Sequence, residues 1–296
     1  MNTSPDKRRS LLGATAVAVL LAVSACGGQE GISDPEPANS ADTGPLEADA
    51  VAIRVDYTGG FVPPSAIPGR LPVVTIYGDG RVITEGPVPA IYPGPALPNV
   101  QQRRIPTGDV ALLVGRALDA GVGSGADFGQ PTVTDMPNTR FTVTTAEGVR
   151  QSSVYGLDMV EEGPNRALTD AQRAARDKLR ALFDELQNPP TATGEPEPYP
   201  VVTLAALATE YRNSTDLPSP PPPVAWPGPA LPGTMLGPAN LIGCVTVTGD
   251  EARPILATAA TVNAATPWTS GGKTWWLTLR PLLPDESGCA DLAAKR

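Results

Sequence analysis

The chain has no histidine in its 296 residues, and this limits its chemistry more than any residue it does contain. Ser-His-Asp and Cys-His nucleophile pairs cannot be built, His-rich zinc sites cannot be filled, and haem has no histidine ligand. What remains would rest on carboxylates, serine–lysine pairs or tyrosine. Lys178 and Lys273 each lack a serine at a recognised catalytic spacing, so no catalytic residue is nominated. Asp135-Met-Pro-Asn138 and Asp158-Met-Val-Glu161-Glu162 lack the alternating oxygen ligands and the glycine of a calcium loop. No metal site is expected. Ser270-Gly-Gly-Lys273-Thr274 ends like a phosphate loop, but Pro267 stands where that motif needs glycine, and a strand is expected after it rather than a helix. Gly121-Val-Gly123 follows a helix, not a strand, and is not read as a dinucleotide site. No cofactor is expected.

The residues with recognition chemistry are aromatic. Tyr92-Pro-Gly-Pro-Ala-Leu-Pro98 and Trp226-Pro-Gly-Pro-Ala-Leu-Pro232 agree at six consecutive positions after an aromatic. Each offers a preorganised loop flanked by a ring, so Tyr92 and Trp226 mark candidate binding loops. The other reading is two independent proline turns, or loops packed on each other; no period extends beyond the match. All the tryptophans (Trp226, Trp268, Trp275, Trp276) lie toward the C-terminus. They could stack on a sugar or a peptide, though core packing is the commoner fate of such rings. Trp275 and Trp276 are adjacent on an expected strand and so point to opposite faces.

Three cysteines are present, Cys26, Cys244 and Cys289. Cys26 closes the run Leu20-Leu-Ala-Val-Ser-Ala25-Cys26, behind Lys7-Arg8-Arg9 and an apolar stretch from Leu11. The layout resembles the signal peptide and lipobox of bacterial lipoproteins. The apolar stretch Leu11 to Val23 suits a secretory signal and is shorter than the ~20 residues of a spanning helix. The resemblance implies cleavage before Cys26, a diacylglyceryl group on its thiol and an acyl chain such as palmitate on its amine. Two chains give stable anchoring, at about 0.8 kcal/mol per buried CH₂. The alternative is an ordinary cleaved signal. Lys7-Arg8-Arg9-Ser10-Leu11-Leu12 also has the look of a twin-arginine export signal. With Cys26 lipidated outside the cytoplasm, Cys244 and Cys289 remain as a pair in an oxidising compartment, and a disulfide between them is expected. Two buried free thiols are the alternative.

Loss of residues 1–25 would take the formal charge from −9 to −11, since Asp6, Lys7, Arg8 and Arg9 leave with them. Such a chain does not suit nucleic acid or electrostatic adhesion to anionic lipid. With 35 prolines and 30 glycines, much of it falls outside regular structure.

Several elements are legible. Residues 26–48 are acidic and poor in large apolar side chains, as in a disordered tether. An α+β domain is expected over 49–188. Val51 to Tyr57 alternates as a strand. Val73–Tyr77 and Arg81–Thr84 flank Gly78-Asp79-Gly80 as a hairpin, and Val100–Ile105 is a further strand. Thr107 is expected to cap a helix carrying Val110, Leu113, Val114, Ala117 and Leu118, stopped at Gly121. Arg140–Thr145 and Val149–Tyr155 form a second hairpin. A second helix follows, with a capping box at Thr169 and Gln172 and a stripe of Leu168, Ala171, Ala175, Leu179, Leu182, Phe183 and Leu186. This order predicts an antiparallel sheet with helices on one face. Residues 189–240 read as a Pro-rich linker with room for a strand over Val201–Tyr211, and Ser219–Pro223 as a stiff spacer. Residues 241–296 read as a β-α-β unit: strand Leu241–Val247, helix Asp250–Ala265 and strand Lys273–Pro281.

Together with the lipobox, Tyr57-Thr-Gly-Gly-Phe61, Tyr77-Gly-Asp-Gly-Arg81 and Arg280-Pro-Leu-Leu-Pro-Asp285 make the chain similar to lipobox-containing lipoproteins of high-GC Gram-positive, actinobacterial type. The resemblance implies a cell-membrane, extracytoplasmic location and brings no activity. The expected function is non-catalytic binding or scaffolding of an envelope protein or glycan. A carboxylate-based envelope hydrolase and a glycan- or small-molecule-binding lipoprotein are the alternatives.

Overall fold

The computed structural model describes residues 46–159, 167–212, 219–237 and 241–293. Cys26, the leader and most of the expected tether lie outside the described residues, as do Glu161 and Glu162. Residues 46–48 are not tether. Leu46 packs against the first core, the Glu47 carbonyl accepts from Ala50 N at 2.9 Å, and both crowd Gly78.

The strands of the first half are β1 (Val51–Gly59), β2 (Val74–Tyr77), β3 (Arg81–Glu85), β4 (Val100–Arg104), β5 (Pro137–Thr145), β6 (Gly148–Tyr155) and β7 (Thr193–Pro198). They form one antiparallel sheet in the order β6-β5-β1-β2-β3-β4-β7. Helices α1 (Thr107–Asp119) and α2 (Asp170–Gln187) cover one face. Ile53, Val55, Val74, Ile76, Phe141 and Val143 meet Val110, Leu113, Leu179 and Leu182 there in one core. The α+β class read from the sequence is therefore the observed one. Thr107 is not the cap of α1: it is the first helical residue, and Pro106 precedes it with no side-chain cap. The capping box of α2 forms as expected, Thr169 accepting from Gln172 N and the Gln172 side chain from Thr169 N. Its stripe holds one unforeseen member. Arg176 is fully buried and donates to the Tyr155 carbonyl at 3.0 Å.

The expected linker over 189–240 is largely structure. Beyond β7 it supplies β8 (Thr203–Glu210), β9 (Val224–Ala225) and β10 (Thr234–Leu236). With β11 (Ile242–Thr248), β12 (Trp268–Ser270) and β13 (Lys273–Pro281) these build a second sheet, β10-β11-β8-β13-β12-β9, antiparallel except for β12–β9. The expected β-α-β unit exists in split form. β11 and β13 run the same way because each is antiparallel to β8, which lies between them. β8 is buried on both faces, so its Leu-Ala-Ala-Leu-Ala run needs no polar alternation. Helix α3 is shorter than the sequence suggests, Ala252–Ala259. The chain turns away at Asn263, whose Oδ1 accepts from Ala265 N at 3.0 Å. On the α3 face, Trp226, Trp268, Trp275, Leu277, Leu279 and Ile255 form the second core. On the other face the Cys244–Cys289 disulfide joins β11 to α4 (Cys289–Ala293), over Leu207, Ile242 and Leu292.

The segment after β13 fastens the two sheets together. Leu283 packs with Tyr77, Ile83 and Val100 on the face of the first sheet opposite its helices. Asp285 binds Arg54 and Tyr77 of that sheet. Arg280 and Glu286, with side chains 0% and 2% exposed, pair behind it, and Arg280 Nε donates to the Arg70 carbonyl at 3.3 Å.

Candidate functional site

A groove of about 700 Å³ lies between the sheets, within the range of small-molecule sites. Its first wall is the Pro-rich excursion after β3. Gly86 N bonds to the Asn99 carbonyl at 2.6 Å and Asn99 Nδ2 to the Pro87 carbonyl at 2.9 Å, which pinches the base of the loop. A Cβ at Gly86 would stand 2.5 Å from the Gln101 side chain, which would have to move to admit one. Prolines 87, 89, 93, 95 and 98 restrict the loop's backbone and remove donors that would otherwise need partners. The loop then reaches the second sheet's unit: Ala264 N donates to the Gly94 carbonyl at 2.8 Å, Pro95 bridges Asn263, and Ala96 and Leu97 pack on the second core.

The second wall is the segment from β1 to β2. Gly59 and Gly60 take positive φ of 63° and 81°, turning the chain so that Phe61 N meets the Asp135 carbonyl at 3.2 Å. A 3-10 turn, Pro64–Gly69, follows, and Gly69 presses on Thr278 so closely that a Cβ would stand 2.8 Å from its methyl. Leu277 and Leu279 of β13 complete the lining. The groove walls hold no histidine, cysteine, lysine or serine; their charged groups are Arg70, Glu85 and Asp135. Partial desolvation raises the Glu85 carboxyl above its ordinary pKa, so it holds a proton more readily than a free glutamate.

A second concavity of about 350 Å³ adjoins the groove, and the two share Tyr57, Arg70 and Leu71. It lies on the open face of β1 and β5, where Arg54, Arg140, Asp56 and Thr142 project. Arg140 Nη2 bonds to Asp56 at 3.3 Å. Burial alone would lower the Arg54 pKa, but the hydrogen bond and charge of Asp285 outweigh it and raise it. For Tyr77, burial and then the charge of Asp285 push the phenol far up, so it remains a neutral donor to Asp285.

The structure does not bring Tyr92 and Trp226 together as matched surface loops. Tyr92 is 76% exposed on the groove's Pro-rich wall. Trp226 is buried, its Nε1 donating to the Pro229 carbonyl at 2.7 Å and its ring edge-on to Trp268 at 5.6 Å. The two loops also differ in backbone, with the cis bond at Tyr92–Pro93 in one and at Leu231–Pro232 in the other. They do share a destination, since Ala96 and Leu97 of the first and Trp226 and Leu231 of the second pack in the same core. Trp276 packs against Tyr211 with the rings tilted and their centroids 4.8 Å apart. No tryptophan lines the groove. Cys244 and Cys289 form the expected bridge, and Ser270-Gly-Gly-Lys273 is a hairpin turn between β12 and β13. Among the described residues, no three His, Cys, Asp or Glu side chains are grouped to hold a metal ion, and no helix is long and apolar enough to cross a membrane.

Sequence reasoning singled out neither Arg70 nor Glu85, nor the two leucines of β13. The only local signal was the Pro-rich excursion after β3. Compared with protein-family models, curated proteins and solved structures, the chain matches none.

Proposed function

We propose that this chain is an extracytoplasmic envelope lipoprotein, anchored through lipidated Cys26, that binds a ligand without transforming it, in the groove between its two sheets. The observation that carries the binding reading is the groove itself, with its rigid Pro-rich wall and a mixed lining in which Val62, Leu71, Val88 and Leu97 stand beside Arg70, Glu85 and Asp135. Such a lining holds an apolar ligand and lets a few polar groups orient it. Gly94 supplies the test. It lines the groove, and a Cβ added there meets no atom within 4 Å. Wild type and Gly94→Trp would be extracted from membranes in mild detergent and compared by native mass spectrometry. Wild type is expected to carry an added mass that the variant lacks; bare protein in both would overturn the reading. The anchor is tested separately. Cys26→Ser is expected to move the protein into the soluble fraction, and unchanged membrane retention would refute lipidation.

A carboxylate-based hydrolase is favoured by one observation: Glu85 and Asp135 line the same groove, and a raised Glu85 suits a proton donor. It predicts that a ligand accumulates in Glu85→Gln and is consumed in wild type. Intact ligand on both proteins would end it.

A further inference from the structure

We infer that the groove takes a singly anionic amphiphile, with its apolar body between the sheets and its anionic group at Arg70; this rests on the groove-binding reading above. Two observations fix the apolar part. Val62, Leu71, Val88, Leu97, Leu277 and Leu279 line the groove. Among the described residues, four of the nine large apolar side chains left in water are Phe61, Val88, Ile91 and Tyr92, and all four stand on the two loops that wall it. An apolar ligand body longer than the groove floor would cover these side chains and remove them from water.

Charge fixes the other end. Arg70 is the groove's cation, and it is also part of the adjoining concavity that holds Arg54 and Arg140. Those two are matched one to one by Asp285 and Asp56. Arg70 is not. Among the described residues its guanidinium meets only carbonyls, Gly59 at 2.8 Å and Tyr57 at 3.5 Å. Within a chain of formal charge −9, this leaves one uncompensated guanidinium where the apolar groove meets an arginine-bearing surface. A carboxylate or phosphate diester gains a charge-assisted hydrogen bond there. Glu85 and Asp135 line the same groove and oppose a second negative charge.

The experiment titrates the folded protein with three twelve-carbon probes, dodecanoate, dodecanol and dodecyltrimethylammonium, by calorimetry, the two ions kept below their micellar concentrations and the alcohol below its solubility limit. Acetate serves as the bodiless control. Dodecanoate is expected to bind tightest and acetate not at all. Arg70→Gln, which keeps a donor for the Gly59 carbonyl, is expected to weaken dodecanoate about tenfold and leave dodecanol unchanged. Gly94→Trp is expected to weaken both. If dodecanol binds as well as dodecanoate and Arg70→Gln changes neither, the anion assignment fails and the groove reading stands. If the trimethylammonium probe binds best, the sign of the assignment is wrong. If no probe binds, or if Gly94→Trp changes nothing, the groove reading falls as well.

Discussion

Arg54 and Asp285 lie 231 residues apart and form a two-point ion pair, Nη1 to Oδ2 at 2.9 Å and Nη2 to Oδ1 at 2.7 Å. Arg54 is on β1, next to the central strand β2 of the first sheet, and Asp285 follows β13, the last strand of the second in chain order. Tyr77 donates to the same Oδ1 at 2.7 Å, so one carboxylate holds two side chains of the opposite sheet. With side chains 14% and 23% exposed, the pair is shielded enough for its loss to leave a poorly solvated guanidinium. Asp285→Asn keeps an acceptor for Tyr77 but removes the charge. It is expected to lower unfolding free energy by about 2–3 kcal/mol, read as a lower urea midpoint. A change within ~0.5 kcal/mol would mean that the sheets are held by Leu283 and its neighbours alone.

The same carboxylate sets an acid limit. Burial pushes Asp285 up, but the hydrogen bond and charge of Arg54 and the Tyr77 hydroxyl outweigh it and hold the carboxyl below its ordinary value. Asp79 is lowered likewise, its burial outweighed by Arg81. A carboxyl lowered by folding contributes fully above its unfolded pKa of about 4, and the contribution is lost as pH falls through the folded value. Thermal stability is therefore expected to be flat from neutrality to about pH 5 and to fall below about pH 4. In Asp285→Asn that acid slope should be shallower, since one of its titrating groups is gone. Parallel wild-type and variant slopes would remove Asp285 from the acid transition.

How much of this was legible depended on whether a residue's partners were near in sequence. Val51–Tyr57 alternates because one face of β1 packs on helices and the other is more polar, so its strand was readable. Thr169 and Gln172 are three apart and satisfy each other, so the start of α2 was readable as well. β7 was not: Thr-Gly-Glu-Pro-Glu-Pro has no apolar alternation, and it pairs because β4 leaves an open edge on which proline is tolerated. Arg176 reads as a polar interruption of the helical stripe, and acceptors distant in sequence, among them the Phe128, Tyr155 and Gly156 carbonyls, make its burial sensible. The Pro-rich wall of the groove was visible as a composition. Its facing residues Leu277 and Leu279 come from the other sheet, and no local pattern could pair them with it.

Glu85 behaves oppositely to Asp285. Its folded pKa is raised by desolvation, so the folded state disfavours its ionised form. The penalty is absent below the unfolded value of about 4.3 and complete above the folded one. Glu85→Gln is expected to raise the melting temperature at pH 7 and to leave it unchanged at pH 4. A variant equally stabilised at both values would show a packing effect, and a destabilised one at pH 7 would show that Glu85 is held as a carboxylate.

The Cys244–Cys289 bridge closes a sequence separation of 45 residues, a loop that contains α3, β12 and β13. In the chain-entropy account such a closure stabilises by about 4 kcal/mol through the unfolded state. It also holds α4, whose five residues are too few to persist as an isolated helix, against Leu207 and Ile242. Because α4 begins three residues after Glu286, loss of the bridge should loosen the fastening of the two sheets as well as β11. The double variant Cys244→Ser, Cys289→Ser is expected to lose about 3–4 kcal/mol and to show faster amide exchange in Leu282–Glu286 than in the first sheet. Reductant should reproduce this loss in wild type and leave the double variant unchanged. Equal protection of Leu282–Glu286 in both proteins would confine the role of the bridge to the β11–α4 face.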